Sequence, residues 1–315
     1  MKHAVIGADG QIGKLLTQEL IAQHKQVVAI SRQWNGQPFG PHIEYRTADA
    51  MDAKSIKEAI DDCSVVYSVL GLPYNTKIWQ KLWLTMTKNV LTAVQQVGCR
   101  LIYFDNVYAY GLVRGPMTEN TPYKPTAQKG EVRARAAQLL HKAMEAGEAK
   151  IIIARSADFI GPGAASSIVG ERFFKSIVSS NAAVRQAEWL GDPHTKHCYN
   201  FSLDTVKALV LLGEATNGTY GQIWHLPTTE PITGYELCKL IGNQAHCTIK
   251  PRAIRSWMLK IAGLFTPMAR EQAEMQYQVE NDYLFSDAKF MQAFPIFKKT
   301  SWVEIIKKSL QQYQK

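Results

Sequence analysis

No apolar run in the 315-residue sequence approaches the roughly 18 residues needed to span a bilayer. The opening residues Met1-Lys2-His3-Ala4-Val5-Ile6-Gly7 stop being apolar too soon for a secretory leader. A soluble, cytoplasmic protein without a membrane partner is expected. Cysteine is sparse: Cys63, Cys99, Cys198, Cys238 and Cys247 are widely spaced with no C-x-x-C pair, which excludes a zinc ribbon, a haem-attachment site or a redox dithiol. His194 and His197 have no third ligand at metal spacing, so no metal is expected either. The basic residues never form a block, the longest clusters being Lys-Lys pairs at 298–299 and 307–308. The net charge of +9 therefore does not imply nucleic acid, and a small phosphorylated ligand is the more economical partner. Repeats and low-complexity tracts are absent as well.

What is present is an ordinary globular composition, 46% hydrophobic and 20% charged, which excludes disorder. Short β-branched runs at His3–Ile6, Val27–Ile30, Ile43–Arg46, Val65–Leu70, Leu101–Phe104 and Ile151–Ala154 alternate with stretches of helical period at Gly13–Gln23, Ile78–Val97 and Gln128–Ala146. Near-continuous apolar strands separated by helices predict an α/β, doubly wound parallel sheet covered on both faces. Residues 1–160 are expected to form this domain. Residues 161–315, richer in Gly, Pro, Ser and Asn loops, read mainly as a smaller, discontinuous C-terminal α/β lobe. Part of the segment near 198–226, notably Gln222–His225, is expected to return to the main sheet.

Gly7-Ala8-Asp9-Gly10-Gln11-Ile12-Gly13 follows the first strand and opens the first helix. Gly7 permits a tight turn, Gly10 lets backbone approach a pyrophosphate and Gly13 allows close helix-to-strand packing, while Asp9, Gln11 and Ile12 frame the helix N-terminus. Strand, glycine triplet and helix in this order predict a Rossmann-type dinucleotide site. The second strand ends Ala29-Ile30-Ser31-Arg32 without the carboxylate that would hold NAD ribose hydroxyls. Ser31 and Arg32 suit a 2′-phosphate instead, so NADP(H) is preferred over NAD(H). Asp49, followed by Ala50, is placed either to accept from the adenine amino group or to cap a turn. Val69, Leu70 and Gly71 give a small edge for the middle of the cofactor.

These features resemble an extended or atypical short-chain dehydrogenase/reductase of the NAD-dependent epimerase/dehydratase family. The resemblance also covers Leu101-Ile102-Tyr103-Phe104-Asp105-Asn106-Val107-Tyr108-Ala109-Tyr110-Gly111, Met117–Pro122 and Arg155-Ser156-Ala157-Asp158-Phe159-Ile160-Gly161-Pro162-Gly163. It implies a Ser or Thr after the fifth strand, then a Tyr that exchanges a proton at the reacting carbonyl and a Lys four residues later that grips the nicotinamide ribose. Here Asn106 takes the Ser/Thr position, Lys129 the Tyr position and Arg133 the Lys position. Asn106 can still donate a hydrogen bond and Arg133 can still hold ribose hydroxyls. Lys129 can donate a proton or place a cation over a developing alkoxide. This points to an NAD(P)-dependent oxidoreductase acting on a carbonyl or hydroxyl substrate. The competing reading is a solvated helix face in a catalytically silent NADP-binding sensor or scaffold. Tyr108 is a further candidate acid, with packing against neighbouring aromatics as its alternative role.

In the second lobe the segment Gly191–Asn200 lacks the Arg by which such proteins grip a sugar-nucleotide diphosphate, which favours a smaller substrate. Trp189, His197, Trp224 and His225 are presumed core rather than pocket. The helical apolar stripe over Arg252–Phe265 is expected to pack onto the lobe, with membrane association as the second reading. A homodimer through Ile78–Val97 and Gln128–Ala146 is implied by the resemblance.

Overall fold

The computed structural model describes residues 1–179 and 181–313. The chain groups into two compact units, Met1–Ala109 with Gln128–Arg155 and Val206–Leu226, and Tyr110–Ala127 with Ser156–Thr205 and Pro227–Lys315.

In the first unit, strands β1 (Lys2–Ile6), β2 (Gln26–Ser31), β3 (Glu44–Thr47), β4 (Val65–Ser68), β5 (Arg100–Asn106) and β6 (Ile151–Ser156) alternate with helices α1 (Gln11–Ala22), α2 (Ala53–Ile60), α3 (Thr76–Val97) and α4 (Gln128–Glu145). The strands lie parallel, joined by Gln222–His225 beside β6. Val65, Val66, Leu101, Ile102 and Ile151–Ala154 are fully buried. A strand covered on both faces has no polar side, and that is why these runs lack alternation. Local signals set the helix ends: the Asn75 side chain caps α3 by accepting from the Ile78 N–H at 3.0 Å, and Gly98 stops it at φ +75°. Two boundaries differ from the expected ones where they affect the site. β5 runs on to Asn106, and β4 stops at Ser68 although the Val69 N–H still donates to the Ile6 carbonyl at 3.0 Å.

The second unit contains β7 (Asp158–Ile160), helix α5 (Glu171–Val178), β8 (Val184–Leu190), β9 (Lys196–His197) and β10 (Tyr199–Phe201). Helix α6 (Ser202–Glu214) then leads to β11 (Gln222–His225), which joins the main sheet beside β6. There follow β12 (Ile232–Thr233), α7 (Gly234–Ala245), β13 (Thr248–Ile254), α8 (Ser256–Ala262), α9 (Pro267–Glu274), α10 (Ala288–Ala293) and α11 (Trp302–Tyr313). β8 and β13 pair in parallel over seven residues, and Phe173, Phe174, Ile177, Trp189, Leu237, Ile241 and Ile306 fill the core beside them.

The expected packed helix over Arg252–Phe265 is corrected. Arg252–Ile254 belongs to β13, and α8 is too short to bury more than one large side chain, Leu259. Trp257, Ile261, Leu264 and Phe265 stay exposed. Among the described residues no helix is long and apolar enough to cross a membrane.

Candidate functional site

The glycine turn is built as its spacing predicts. Gly7 adopts φ +91°, and the Gly7 and Ala8 N–H groups both donate to the Ile30 carbonyl, at 2.9 and 3.0 Å. A Cβ on Gly13 would lie 2.0 Å from the Gly7 carbonyl oxygen, so no side chain is tolerated there. Helix α1 has Gly10 at its N-cap, no side-chain cap and no acidic residue in its first turn. Its positive dipole end is therefore open to an anion, and the cradle fits a dinucleotide pyrophosphate. Asp9 is held by Lys14 at 3.0 Å, Gln11 is exposed and Ile12 half-buried.

At the end of β2, Ser31 is half-buried and its hydroxyl donates to the Gln33 carbonyl at 3.0 Å, while Arg32 is exposed. Asp49 acts as the cap of a turn, its Oδ1 accepting from the Met51 N–H at 2.9 Å. The Ala50 carbonyl accepts from the Asn89 amide at 3.0 Å, which ties this loop to α3. Val69 is buried, Leu70 half-buried and Gly71 exposed, and a Cβ on Gly71 would meet nothing within 4 Å. Among the described residues no packing demands that glycine.

The centre of charge below the end of β5 is Asp105, a residue to which its place in the sequence assigns no role. Its Oδ1 accepts from Arg133 Nε at 2.8 Å and from Arg133 Nη2, and its Oδ2 accepts from Arg155 Nε at 3.1 Å. All three side chains are buried. Burial alone would push the Asp105 carboxyl up, but the Arg133 and Arg155 charges outweigh it and hold the group below the ordinary carboxylate range. The Arg133 guanidinium also lies over the Trp83 ring, 4.2 Å from its centroid. Arg133 thus spends Nε and Nη2 on Asp105, and Nη1 is the nitrogen it can offer to a ribose hydroxyl.

One helical turn before it, Lys129 places its Nζ 4.5 Å from the centroid of the Tyr74 ring. Tyr74 meets Trp79 edge-on, Trp79 packs against Trp83 at 4.5 Å and stacks on Tyr108 at 6.1 Å. Behind them the Trp83 indole donates to the Tyr103 hydroxyl at 3.0 Å, and Thr87 shares a 3.0 Å bond with the same hydroxyl. Burial pushes the Tyr103 phenol up, so it remains neutral. Lys129 is 0% exposed and Arg133 4%, which overturns the reading of the two as a solvated helix face. Four-residue spacing puts them on one side of α4, and that side faces aromatic rings and Asp105.

Asn106 is half-buried at the end of β5, and its Oδ1 accepts from the Tyr108 N–H at 3.1 Å. With that oxygen committed, the amide N–H is the group Asn106 can present. Tyr108 is half-buried with its ring against Trp79, so packing accounts for its position.

In the second unit, Trp189 and His197 are buried; in the first, so are Trp224 and His225. His197 stacks on Tyr283 with centroids 4.2 Å apart, and its Nε2 lies 2.9 Å from Asp158 Oδ2. Among the described residues no three His, Cys, Asp or Glu side chains group as a metal site would need.

The parallel sheet in the order β11-β6-β5-β4-β1-β2-β3, with the glycine turn after β1, defines a Rossmann-type α/β protein. The chain belongs to the NAD dependent epimerase/dehydratase family, whose model matches residues 3–226. Over 170 residues it is 25% identical to dTDP-6-deoxy-L-talose 4-dehydrogenase (NAD(P)(+)) of Kitasatospora kifunensis, covering 51% of this chain and 53% of that one. The chain thus spans about half the length of this curated relative. UDP-glucuronic acid 4-epimerase from Bacillus cereus, in complex with NAD, superposes with a TM-score of 0.80 at 16% identity over 100% of both chains. UDP-glucose 4-epimerase from Thermus thermophilus, also in complex with NAD, gives 0.75 at 17% identity over 100% of this chain and 99% of that one. At these identities the superpositions establish a shared fold.

Proposed function

We propose that the protein is an NAD(P)-dependent oxidoreductase or epimerase-like enzyme acting at a carbonyl or hydroxyl carbon of a small-molecule substrate. The observation that carries this reading is the fully buried Lys129 ammonium beside the Asp105-bound Arg133. Burying such a charge is costly, and costs of this kind persist at sites that use them. Gly7, Gly10, Gly13 and the N-terminus of α1 would hold the pyrophosphate. Ser31 and Arg32 would hold a 2′-phosphate, Ser31 exchanging its bond to the Gln33 carbonyl for one to the ligand. The nicotinamide dinucleotide, when bound, supplies hydride acceptance and return. The chain's own groups do the rest: Asn106 donates its amide N–H to the reacting oxygen, and Lys129 delivers or takes the proton there and opposes negative charge building on it. Arg133, fixed by Asp105, orients the ribose through Nη1. The relatives are by name enzymes of sugar nucleotides, whereas the segment Gly191–Asn200 carries no Arg, so a smaller carbonyl or hydroxyl compound is the substrate class proposed. A cytoplasmic homodimer through α3 and α4 is the proposed setting, supported by Leu84 exposed midway along α3.

Titration with NADPH and NADH, followed by a screen of carbonyl and hydroxyl compounds at the nicotinamide absorbance band, tests the reading. Lys129→Met should lower kcat on any substrate found by about 10²- to 10⁴-fold while leaving cofactor affinity within roughly threefold. Tight cofactor binding with no turnover would instead identify a redox-state sensor, a reading favoured by the commitment of Arg133 to Asp105.

A further inference from the structure

Each strand from β1 to β5 reaches the next through a helix except β2, which reaches β3 by the twelve residues 32–43, and these contain none. A helical crossover is held to the sheet by its apolar face. A connection of this length without a helix is uncommon and needs another anchor. It begins at Ser31 and Arg32, the two residues proposed to hold a 2′-phosphate.

Three rings supply the anchor. Trp34, Phe39 and Tyr45 are half-buried, while Gln33 and residues 35–38 are exposed. Trp34 meets Tyr45 edge-on with centroids 4.9 Å apart and Phe39 in the same manner at 6.4 Å, and Phe39 stacks on Tyr45 at 6.3 Å. The Tyr45 hydroxyl accepts from the Phe39 N–H at 2.9 Å and donates to the Gly40 carbonyl at 3.1 Å, so a side chain of β3 closes the far half of the loop. The Trp34 indole donates to the Arg46 carbonyl at 3.1 Å and closes the near half. β3 is an edge strand, but Arg46 fixes it, its guanidinium donating to the Ala59 carbonyl at 2.9 Å and to the two Asp62 oxygens at 2.8 and 3.0 Å. Ser31 is pinned as well, because its carbonyl accepts from the Ala48 N–H at 3.1 Å. Arg32 therefore lies between two fixed positions, Ser31 and Trp34, with its own side chain exposed.

We propose that Trp34 and Tyr45 are positioning residues for the 2′-phosphate of NADP(H), holding the β2–β3 loop in the shape that presents Ser31 and Arg32 before the dinucleotide arrives. The proposal rests on the assignment of Ser31 and Arg32 to that phosphate. A loop of this length with no anchor would have to be ordered on binding, and the entropy lost would be subtracted from the contact between Arg32 and the phosphate. A guanidinium grips phosphate through paired N–H donors, a geometry that depends on where the backbone holds the side chain. Trp34 and Tyr45 act through that backbone alone, since the indole N–H and the phenol both donate to carbonyls of the chain. NADH carries no 2′-phosphate, so its binding at the glycine turn is indifferent to the anchor.

The test is calorimetric titration of NADPH and of NADH into the protein and its Trp34→Leu, Tyr45→Phe and Arg32→Ala variants. Trp34→Leu and Tyr45→Phe should each weaken NADPH by about three- to tenfold, the effect of losing an anchoring hydrogen bond, and leave NADH within about twofold. Tyr45→Phe keeps the ring and its packing, so it carries the test even where Trp34→Leu unfolds the edge of the sheet. In an Arg32→Ala background neither substitution should weaken NADPH further, because the group they position is gone. Equal weakening of NADPH and NADH, or losses that simply add in the double variants, overturns the proposal and leaves the rings a structural role. Selective loss of NADPH in Arg32→Ala with none in Tyr45→Phe also overturns it, while the assignment of Arg32 stands. An Arg32→Ala protein that keeps its preference for NADPH removes that assignment, and the proposal with it.

Discussion

Asp105→Asn removes one negative charge from between two buried guanidiniums and leaves the side-chain volume unchanged. A unit-charge pair at the 2.8 Å separation of Arg133 Nε and Asp105 Oδ1 interacts by about 6 kcal/mol at an effective dielectric of about 20. Most of that offsets the desolvation of the two groups, so the intact cluster adds little net stability. Its rupture is different, because Arg133 and Arg155 remain buried with no carboxylate beside them. The cost of breaking a buried pair in this way is about 3–5 kcal/mol. In a chain of this size that lowers the melting temperature by roughly 5–8 °C. The pH dependence has a definite sign. The folded-state pKa of Asp105 lies below its unfolded value, so its contribution is fully present above the ordinary Asp range and is lost as the pH falls through the folded value. The gap between wild type and variant in thermal melts followed by circular dichroism should be constant from about pH 8 to about pH 5 and should shrink below about pH 4. Adding Arg133→Met to the variant should recover part of the loss by removing one of the stranded charges. A variant melting within about 1 °C of wild type at neutral pH would refute the reasoning, since a carboxylate that matters to two buried cations cannot be neutralised without cost.

Three further outcomes are expected. Gly13→Ala should abolish dinucleotide binding measured by nicotinamide fluorescence and should lower the melting temperature, because its Cβ would sit 2.0 Å from the Gly7 carbonyl; Gly71→Ala should leave the melting temperature alone and weaken binding only. Arg32→Ala should cost about tenfold or more in NADPH affinity and leave NADH affinity unchanged, and an unaltered preference by calorimetry would remove Arg32 from the site. His3, whose imidazole burial pushes down to about 4 against the pull of Glu214, stays neutral when folded, so stability present at neutral pH is lost as the pH falls from about 6.5 towards 4. His3→Gln should flatten that slope by up to about 3 kcal/mol in urea titrations compared at the two ends of the range.

The strands, the glycine turn and its helix were legible because each depends on residues within a few positions. Gly7, Gly10 and Gly13 act through one turn, and Asn75 and Gly98 end α3 through their own backbone neighbours. Asp105 was not legible as a clamp. Its partners are 28 and 50 positions away, and the one carboxylate in a mainly apolar strand shows only that something must pair with it. The aromatic enclosure of Lys129 was hidden for the same reason, since Tyr74, Trp79 and Trp83 lie far upstream of α4 and appear in sequence as an ordinary amphipathic helix and its lead-in.

Fold class and the phosphate cradle thus follow from periodicity and spacing, which are local quantities. Burial is not local. The spacing of Lys129 and Arg133 is compatible with a wet helix face, and the stripe from Trp257 to Phe265 is compatible with a packed one, yet the first is buried and the second exposed. A repeat of 3.6 residues says which side chains share a face, but only the long-range arrangement of the other elements settles whether anything covers it.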